Sequence, residues 1–330
     1  MRVLVTGGAG YIGSHVVVAL LEAGHAVTVV DDLSTGHPAA VARAERLGGR
    51  GVTFLQSQVA TLSPSALAGH DAVIHFAASK RVDESMSHPE RYFENNTGSM
   101  GVLLRAMAEA GTRRIVYSSS AAVYGTQAQV PVHEDAELRP ESPYGVSKLQ
   151  GEQMLDWMGR LAGWSTISLR YFNPVGAHPS GQIGQSLLGE VALVPRAMRA
   201  LLFDDAPITV FGADWPTPDG SCQRDFIHVD DLARAHVVAL GALDPPGHRV
   251  YNVGTGQPHS VLSVLRACAA AAGRPVPHTL GPRRAGDFPV SVADPSRFRD
   301  EHGFVATKSL REMIESAWRW ARDNPRGYAP

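Results

Sequence analysis

Short runs of branched and aromatic hydrophobic residues, each closed by glycine or polar positions, alternate with longer amphipathic stretches through the first half of the chain. The short runs at 3–5, 27–30, 52–55, 72–76, 115–117 and 166–169 predict strands. The longer stretches between them predict helices, and those at 92–110 and 144–161 are long enough for several turns. Strand followed by helix, repeated, is the rhythm of a parallel sheet covered on both faces, so the expected fold class is α/β and doubly wound. After Asn173-Pro174 the texture changes, with Pro and Gly clusters at 179–181, 216–220, 245–247 and 281–282 breaking up shorter elements. This half predicts a smaller, mixed, loop-rich cap, with 249–253 a strand that returns to the first half. The expected division is 1–174 as one domain, with return segments near 225–255, and 175–330 mainly as a second. No internal repeat or low-complexity segment is visible.

Composition narrows the classes of partner. A chain of 330 residues with 44% hydrophobic positions can bury most of its surface without disulfides or metals. Lys+Arg 30 against Asp+Glu 32 leaves a formal net charge of −2, with no excess of positive charge for a nucleic-acid backbone or an anionic membrane. Neither partner is expected; a small molecule is. Cys222 and Cys268 are isolated and match neither a metal-ligand spacing nor a redox pair, and none of the 14 histidines falls in a paired ligand spacing, so no metal is expected. The opening Met1-Arg2-Val3-Leu4-Val5 runs straight into glycines without the apolar stretch and cleavage site of a secretory signal. The next apolar run, 16–21, is far too short to span a bilayer, and a cytoplasmic location is the expectation.

The first strand leads into Thr6-Gly7-Gly8-Ala9-Gly10-Tyr11-Ile12-Gly13 and then a helix-like run to Ala23. Glycines at a strand-to-helix turn let backbone N–H groups approach a pyrophosphate, and the helix N-terminus adds partial positive charge. Glycines also simply close tight turns, but here a second strand ends at Asp31, 18 residues past Gly13. A carboxylate there accepts hydrogen bonds from ribose hydroxyls and repels a 2′-phosphate; with Asp32 adjacent and no arginine beside them, NAD is favoured over NADP.

Ser142-Pro143-Tyr144-Gly145-Val146-Ser147-Lys148 opens a predicted helix, and Tyr144 and Lys148, four apart, share one face of it. A phenol near pKa 10 is a poor base at neutral pH, and a neighbouring ammonium together with a positive nicotinamide ring would favour its ionised form. Taken alone, the pair reads as a surface helix face, because this spacing of Tyr and Lys occurs often by chance. Upstream, the strand at 115–117 runs into Ser118-Ser119-Ser120, where a doubly wound sheet presents its ligands. A serine there can relay a proton or hold a substrate oxygen; the plainer alternative is a hydroxyl-rich loop capping its own backbone.

Several segments together carry a resemblance that covers nearly the whole chain: Gly7-Gly8-Ala9-Gly10-Tyr11-Ile12-Gly13-Ser14-His15, His75-Phe76-Ala77-Ala78, Ser118-Ser119-Ser120-Ala121-Ala122-Val123-Tyr124-Gly125, Ser142-Pro143-Tyr144, Leu169-Arg170-Tyr171-Phe172-Asn173-Pro174-Val175-Gly176-Ala177-His178-Pro179 and Arg224-Asp225-Phe226-Ile227-His228-Val229-Asp230-Asp231-Leu232-Ala233. On these residues the sequence resembles the extended short-chain dehydrogenase/reductase family, a Rossmann-like fold, and within it the UDP-glucose 4-epimerases. The resemblance implies an isomerase that binds NAD and a nucleotide sugar. Tyr144, as phenolate, takes the O4 proton directly or through Ser120 while the C4 hydride moves to NAD; a 4-keto sugar turns over and the hydride returns to its other face. Lys148 lowers the tyrosine pKa and holds the nicotinamide ribose. By the same resemblance Phe76, Ala77, Ala78, Lys80, Asn95, Tyr171 and Phe172 line the cofactor groove. Arg224 and Arg284 contact the diphosphate, Phe211 packs near the uracil, Asp287 meets a ribose hydroxyl and Asn173 touches the sugar or its linkage. An Arg beside an Asp is otherwise a solvated pair unless it lines a cleft.

Three departures from the family pattern sharpen these expectations. Val191-Ala192-Leu193-Val194-Pro195 lacks the two asparagines that UDP-binding members carry ahead of the proline, which leaves dTDP open as an alternative to UDP. Ser57-Gln58-Val59 replaces a Gly-Asp-hydrophobic sequence at the adenine; the Gln58 amide can still accept the same hydrogen bond, and Val59 keeps the hydrophobic position. Ser291 stands where members restricted to glucose and galactose have tyrosine, so the pocket is expected to admit N-acetylated hexoses too. A 4,6-dehydratase would need an acidic pair where this chain has Ala121-Ala122, and a non-enzymatic NAD-sensing protein would typically lose Tyr144 and Lys148. A homodimer is expected, with the helices at 92–110 and 144–161 pairing with their mates, although Leu103, Leu104, Met107, Leu155 and Met158 could equally pack on the sheet.

Overall fold

The computed structural model describes residues 1–203, 205–284 and 287–328. Its central feature is a seven-stranded parallel sheet. In chain order the first part contributes β1 (Arg2–Thr6), α1 (Tyr11–Glu22), β2 (Ala26–Asp31), α2 (Pro38–Gly48), β3 (Val52–Gln56), the short α3 (Pro64–Leu67) and β4 (Ala72–His75). The chain continues through α4 (Val82–Ser87), α5 (Pro89–Tyr92), a π-helical turn Phe93–Gly98, α6 (Ser99–Ala110), β5 (Arg114–Ser118), α7 (Pro143–Ala162) and β6 (Ser165–Tyr171). The six strands expected from the hydrophobic runs all form. The helix expected at 92–110 does not form as one piece, because the π-helical turn interrupts it, and such turns often mark functional positions.

Beyond β6 the elements are β7 (Asn173–Val175), α8 (Leu193–Phe203), β8 (Ile208–Phe211), β9 (Gln223–His228), α9 (Val229–Gly241), β10 (Gly247–Val253), β11 (Pro258–Ser260), α10 (Val261–Ala272), β12 (His278–Gly281), β13 (Val290–Ser291), α11 (Ser296–His302) and α12 (Leu310–Asp323). The large sheet has the order β10-β6-β5-β4-β1-β2-β3. Strand order therefore reverses between β1 and β4, and the crevice at that reversal, outside the carboxyl ends of the strands, is where such sheets bind ligands. The return expected near 225–255 is made by α9 and β10, whereas β9 joins β7, β11 and β13 in a smaller sheet. A second return was not anticipated: Phe298 of α11 and Phe304 sink into the hydrophobic cluster of the first sheet.

Alternation along the strands explains the layering. In β1, Val3 and Val5 face the cluster beneath α1 and α9, while Leu4 faces the opposite cluster beneath α6 and α7. Leu103, Leu104, Met107 and Leu155 are buried in that second cluster with Met158 packed against it, so these five side chains belong to the sheet side. The apolar residues left outward on α7 are Trp157, 58% exposed, and Leu161, 79% exposed. A third cluster, built by α8, α10, α12 and β8, is the separate core of the second half. Among the described residues no helix is long and apolar enough to cross a membrane.

Candidate active site

The glycine-rich turn is shaped by close approaches. Gly7 has φ +70°, and a Cβ there would lie 2.8 Å from the backbone nitrogen of Ala77; a Cβ on Gly13 would lie 2.1 Å from the Gly7 carbonyl oxygen. Side chains are thus excluded, and the turn, α1 and the exit of β4 pack directly on one another. α1 starts after Gly10 with no side-chain cap and no acidic residue in its first turn. Its first N–H groups are left for an anion, which is the requirement for a dinucleotide pyrophosphate. Ile12 is half-buried against the core. The Tyr11 hydroxyl donates to the Gly176 carbonyl at 2.7 Å and ties this turn to the stretch after β7.

Asp31 does more than the sequence indicated. Its carboxylate accepts the Ala9 N–H and the Leu33 N–H, each at 2.9 Å, and so braces the glycine-rich turn from below. Burial pushes this carboxyl above the usual carboxylate range, and the two N–H groups oppose that shift. Asp32 is exposed and accepts the Ser34 N–H at 2.9 Å. At the end of β3, Gln58 is exposed, whereas the Val59 side chain lies in the core cluster with Leu4 and Val30. Phe76, Ala77 and Ala78 run half-buried along the exit of β4. Lys80 reaches across to Glu190, its ammonium 2.6 Å from the carboxylate. Asn95 is exposed and donates to Ser79 Oγ at 3.0 Å. Its neighbour Asn96, not singled out from the sequence, is the buried one: it accepts the Ser79 N–H at 2.8 Å and donates to the Ser79 carbonyl at 3.0 Å and to Ser147 Oγ at 2.9 Å. Only its adjacency to Asn95 could have pointed to it.

Tyr144 and Lys148 owe their placement to the start of α7. Ser142 accepts the Gly145 N–H at 3.1 Å and Pro143 occupies the first turn, a pairing that fixes the helix origin and is typically worth about 1 kcal/mol for the cap alone. Both side chains are buried, Tyr144 9% and Lys148 3% exposed, which rules out the solvated helix face. The Lys148 ammonium donates to the Ser118 carbonyl at 2.7 Å and lies 5.1 Å from the centre of the Tyr117 ring and 5.9 Å from that of Tyr144. Ser120 caps a short turn by accepting the Ala122 N–H at 3.2 Å, and its hydroxyl stands beside the Tyr144 phenol, favouring the phenolate.

One electrostatic expectation is reversed. The ammonium was expected to pull the Tyr144 pKa down, but burial dominates and pushes the phenol up, with Ser120 opposing. Burial also lowers Lys148, to about 7, with Glu152 working the other way. Desolvation therefore outweighs the helix-face pairing that the spacing suggested. Tyr171, assigned to the cofactor groove, spends its hydroxyl on Ser118 Oγ at 2.5 Å, and the buried Phe172 anchors its N–H on the Val253 carbonyl at 3.3 Å.

Across the cleft the second half gathers its own set. Arg224 of β9 donates to the carbonyls of Gln223 and Phe288, both at 2.9 Å, and lies 3.5 Å from the Asp287 carboxylate. Arg284 approaches the same carboxylate at 2.9 Å and stacks 5.3 Å over the Phe211 ring. Phe211, Arg224 and the neighbouring pair Arg284 and Asp287, three positions far apart in sequence, thus meet. Ser291 is half-buried and is the register partner of Arg224 in the β13–β9 pairing. Asn173 donates to the Asp225 carbonyl at 2.7 Å. Asp225 itself is a residue whose task the sequence did not reveal: fully buried, its carboxylate accepts the N–H groups of Thr255, Gly256 and Ala293 and so locks the strands that carry Arg224 and Ser291. Val191 and Ala192, where the asparagines are missing, are exposed just before α8.

With this geometry in view, comparison with known proteins is specific. The family model of the NAD dependent epimerase/dehydratase family matches residues 3–254. The UDP-glucose 4-epimerase of Neisseria gonorrhoeae is 41% identical over 338 residues, covering 99% of each chain. Among solved structures, the UDP-glucose-4-epimerase from Stenotrophomonas maltophila, with bound NAD and formylated UDP-arabinopyranose, superposes with a TM-score of 0.96 at 42% identity over 99% of both chains. The enzyme from Bifidobacterium longum, in complex with NAD+ and UDP, gives 0.94 at 40% identity over 99% of this chain and 100% of its own.

Proposed function

The chain belongs to the NAD dependent epimerase/dehydratase family, and from that premise we propose that it interconverts the C4 epimers of UDP-hexoses, UDP-glucose with UDP-galactose and the N-acetylated pair as well. The observation that carries this reading is the burial of Tyr144 and Lys148 against Ser118 and Ser120 at the carboxyl edge of the sheet. The residues present fit NAD: an uncapped α1 behind the Gly7, Gly10 and Gly13 turn for the pyrophosphate, Asp31 and Asp32 for a ribose without phosphate, Gln58 and Val59 at the adenine, and Phe76, Ala77, Ala78, Lys80 and Asn95 along the groove. When bound, NAD supplies a reversible acceptor for the hydride of C4.

This chain's own residues do the rest. Tyr144 takes the O4 proton, directly or by way of the Ser120 hydroxyl, as the C4–H bond breaks, leaving a 4-keto sugar. Lys148, fixed on the Ser118 carbonyl, would hold the nicotinamide ribose, while the Ser120 hydroxyl favours the phenolate. Arg224 and Arg284 hold the diphosphate while the keto sugar turns about its linkage, with Asn173 beside that linkage and Ser291 leaving room at the hexose. Tyr144 then returns the proton to O4 as the same hydride rejoins C4 from the other face, and the configuration at C4 is inverted with nothing consumed. In this reading 1–174 with its returns is the cofactor half and 175–330 is mainly the substrate half.

The test is product analysis by nucleotide-sugar chromatography. UDP-galactose incubated with the protein should yield UDP-glucose, and UDP-N-acetylgalactosamine should yield UDP-N-acetylglucosamine. Faster conversion of dTDP-hexoses than of UDP-hexoses would overturn the base assignment. Failure with every hexose would overturn the reaction. We further propose a cytoplasmic homodimer: both cysteines are free and buried, as suits a reducing compartment, and Trp157 and Leu161 present an apolar face one turn apart on α7. Light scattering should give twice the 35.2 kDa chain mass, and a monomer would refute it.

A further inference from the structure

The proposed proton transfer needs Ser118, Ser120, Tyr144 and Lys148 in fixed register, yet they come from a strand end and a helix with no direct covalent tie. Ser119, between the two serines, is fully buried. Its hydroxyl donates to Glu152 Oε1 at 2.5 Å. Glu152 lies one helical turn beyond Lys148 on α7, so strand end and helix are joined through this contact. The same carboxylate is clamped by Arg170 of β6, Nε to Oε1 at 2.9 Å and NH2 to Oε2 at 2.6 Å, and both side chains are only 4% exposed. The remaining Arg170 nitrogen donates to the Tyr124 hydroxyl and the Glu134 carbonyl, each at 3.0 Å. A bidentate pair whose Oε1 and NH1 each hold further partners is confined to a narrow range of geometry.

We propose that Glu152 is the positioning residue of this active site: by holding Ser119 it keeps the Ser118 carbonyl on the Lys148 ammonium and the Ser120 hydroxyl beside the Tyr144 phenol. The proposal rests on the epimerase reading for its kinetic test. Charge adds a second strand of support. Facing Lys148 are the Tyr117 ring and Ser118 carbonyl of β5, the Tyr144 ring of its own helix and His75 of β4, whose imidazole burial first and this ammonium second push down to about 3, so that it is neutral. Arg170 stands behind Glu152 on β6, and the Tyr171 hydroxyl beyond Ser118. Glu152 is the group that favours the charged form of Lys148 against its burial.

Two substitutions test this. Ser119→Ala removes only the tie and should lower kcat on the order of 10- to 100-fold with less than about a twofold change in KM, the cost of a small misplacement at a reacting centre. Glu152→Gln removes the charge facing Lys148, so the ammonium is lost at lower pH and the alkaline limb of the kcat profile should move down. Because both act through one contact, the double variant should be no slower than the slower single one. Native kcat in Ser119→Ala, or losses that multiply in the double variant, would overturn the proposal. Should Glu152→Gln fail to fold, Ser119→Ala decides alone, with a readout that needs no turnover: ultraviolet difference titration of native protein against Tyr144→Phe. Ser119→Ala should raise the Tyr144 phenol pKa by freeing Ser120; an unchanged phenol defeats the idea. A native chain inactive on all hexoses would instead defeat the epimerase reading and leave this titration to judge the positioning role.

Discussion

The two ends of the cleft solve opposite problems. At the proposed reaction end, Lys148 is 3% exposed and is held by a strand carbonyl that a buried network of Ser119, Glu152, Arg170 and Tyr124 keeps in place. At the proposed nucleotide end, Arg284 is 60% exposed, and the partly buried Arg224 and Asp287, 19% and 12% exposed, belong to a small sheet and its loops. The difference follows from what each end must do. A proton carrier needs its affinity shifted, which takes burial and fixed partners, whereas a diphosphate must be captured and released, which solvent-screened charge does at low cost. Burial at the first end raises the phenol and lowers the ammonium together, so neither group is poised by the other alone; the pair is poised by its surroundings.

The sharpest way to break this comparison is at the first end. Tyr144→Phe removes the proton acceptor and leaves the ring that packs edge-on against Tyr92, so folding should be unaffected. Turnover of UDP-galactose should fall about 10²- to 10⁴-fold, roughly 3 to 5 kcal/mol of transition-state stabilisation, with UDP binding by calorimetry unchanged. Activity within a factor of about three of native would mean that another group moves the proton, and the contrast between the two ends would lose its chemical meaning.

How much of this was legible in the sequence also divides between the two ends. Hydrophobic runs mark β1, β2, β4, β5 and β6 because these strands are largely buried on both faces, and edge strand β3 by its half-buried Val52, Phe54 and Leu55; the turn from Gly7 to Gly13 is legible because no side chain fits at Gly7 or Gly13. The contact of Tyr144 and Lys148 follows from helical spacing, but the direction of their pKa shifts does not, since desolvation depends on what covers them. The bracing role of Asp31 and the locking role of Asp225 were hidden for a related reason: their partners are backbone N–H groups, which carry no signature in residue type. Arg224, Arg284, Asp287 and Phe211 became assignable only through resemblance, because they converge from strands and loops whose short pairings, β12 with β8 and β13 with β9, have no periodicity to read. The five apolar residues of α6 and α7 show the converse: helical periodicity identified a buried stripe, but only packing could say that it faces the sheet and that Trp157 and Leu161 face outward.

A finer test lies within the nucleotide end, where the two arginines differ in exposure and in preparation. Arg224 is 19% exposed and already fixed by the Gln223 and Phe288 carbonyls, so it enters a complex with its rotamer entropy largely spent. A charge-assisted bond from such a group is worth about 1.5–3 kcal/mol, and Arg224→Ala should raise KM for UDP-galactose roughly 10- to 100-fold with little change in kcat. Arg284, more exposed and tied among the described residues to Asp287 and the Phe211 face, contributes in screened surroundings; Arg284→Ala should raise KM less than about fivefold, and the effect should shrink further as salt is raised. Steady-state kinetics at two ionic strengths orders the pair. If Arg284→Ala proved the costlier, or if Arg224→Ala lowered kcat and left KM alone, then preorganisation within the smaller sheet would not be what holds the diphosphate, and the contrast between a rigid reaction end and an adaptable nucleotide end would have to be drawn along a different line.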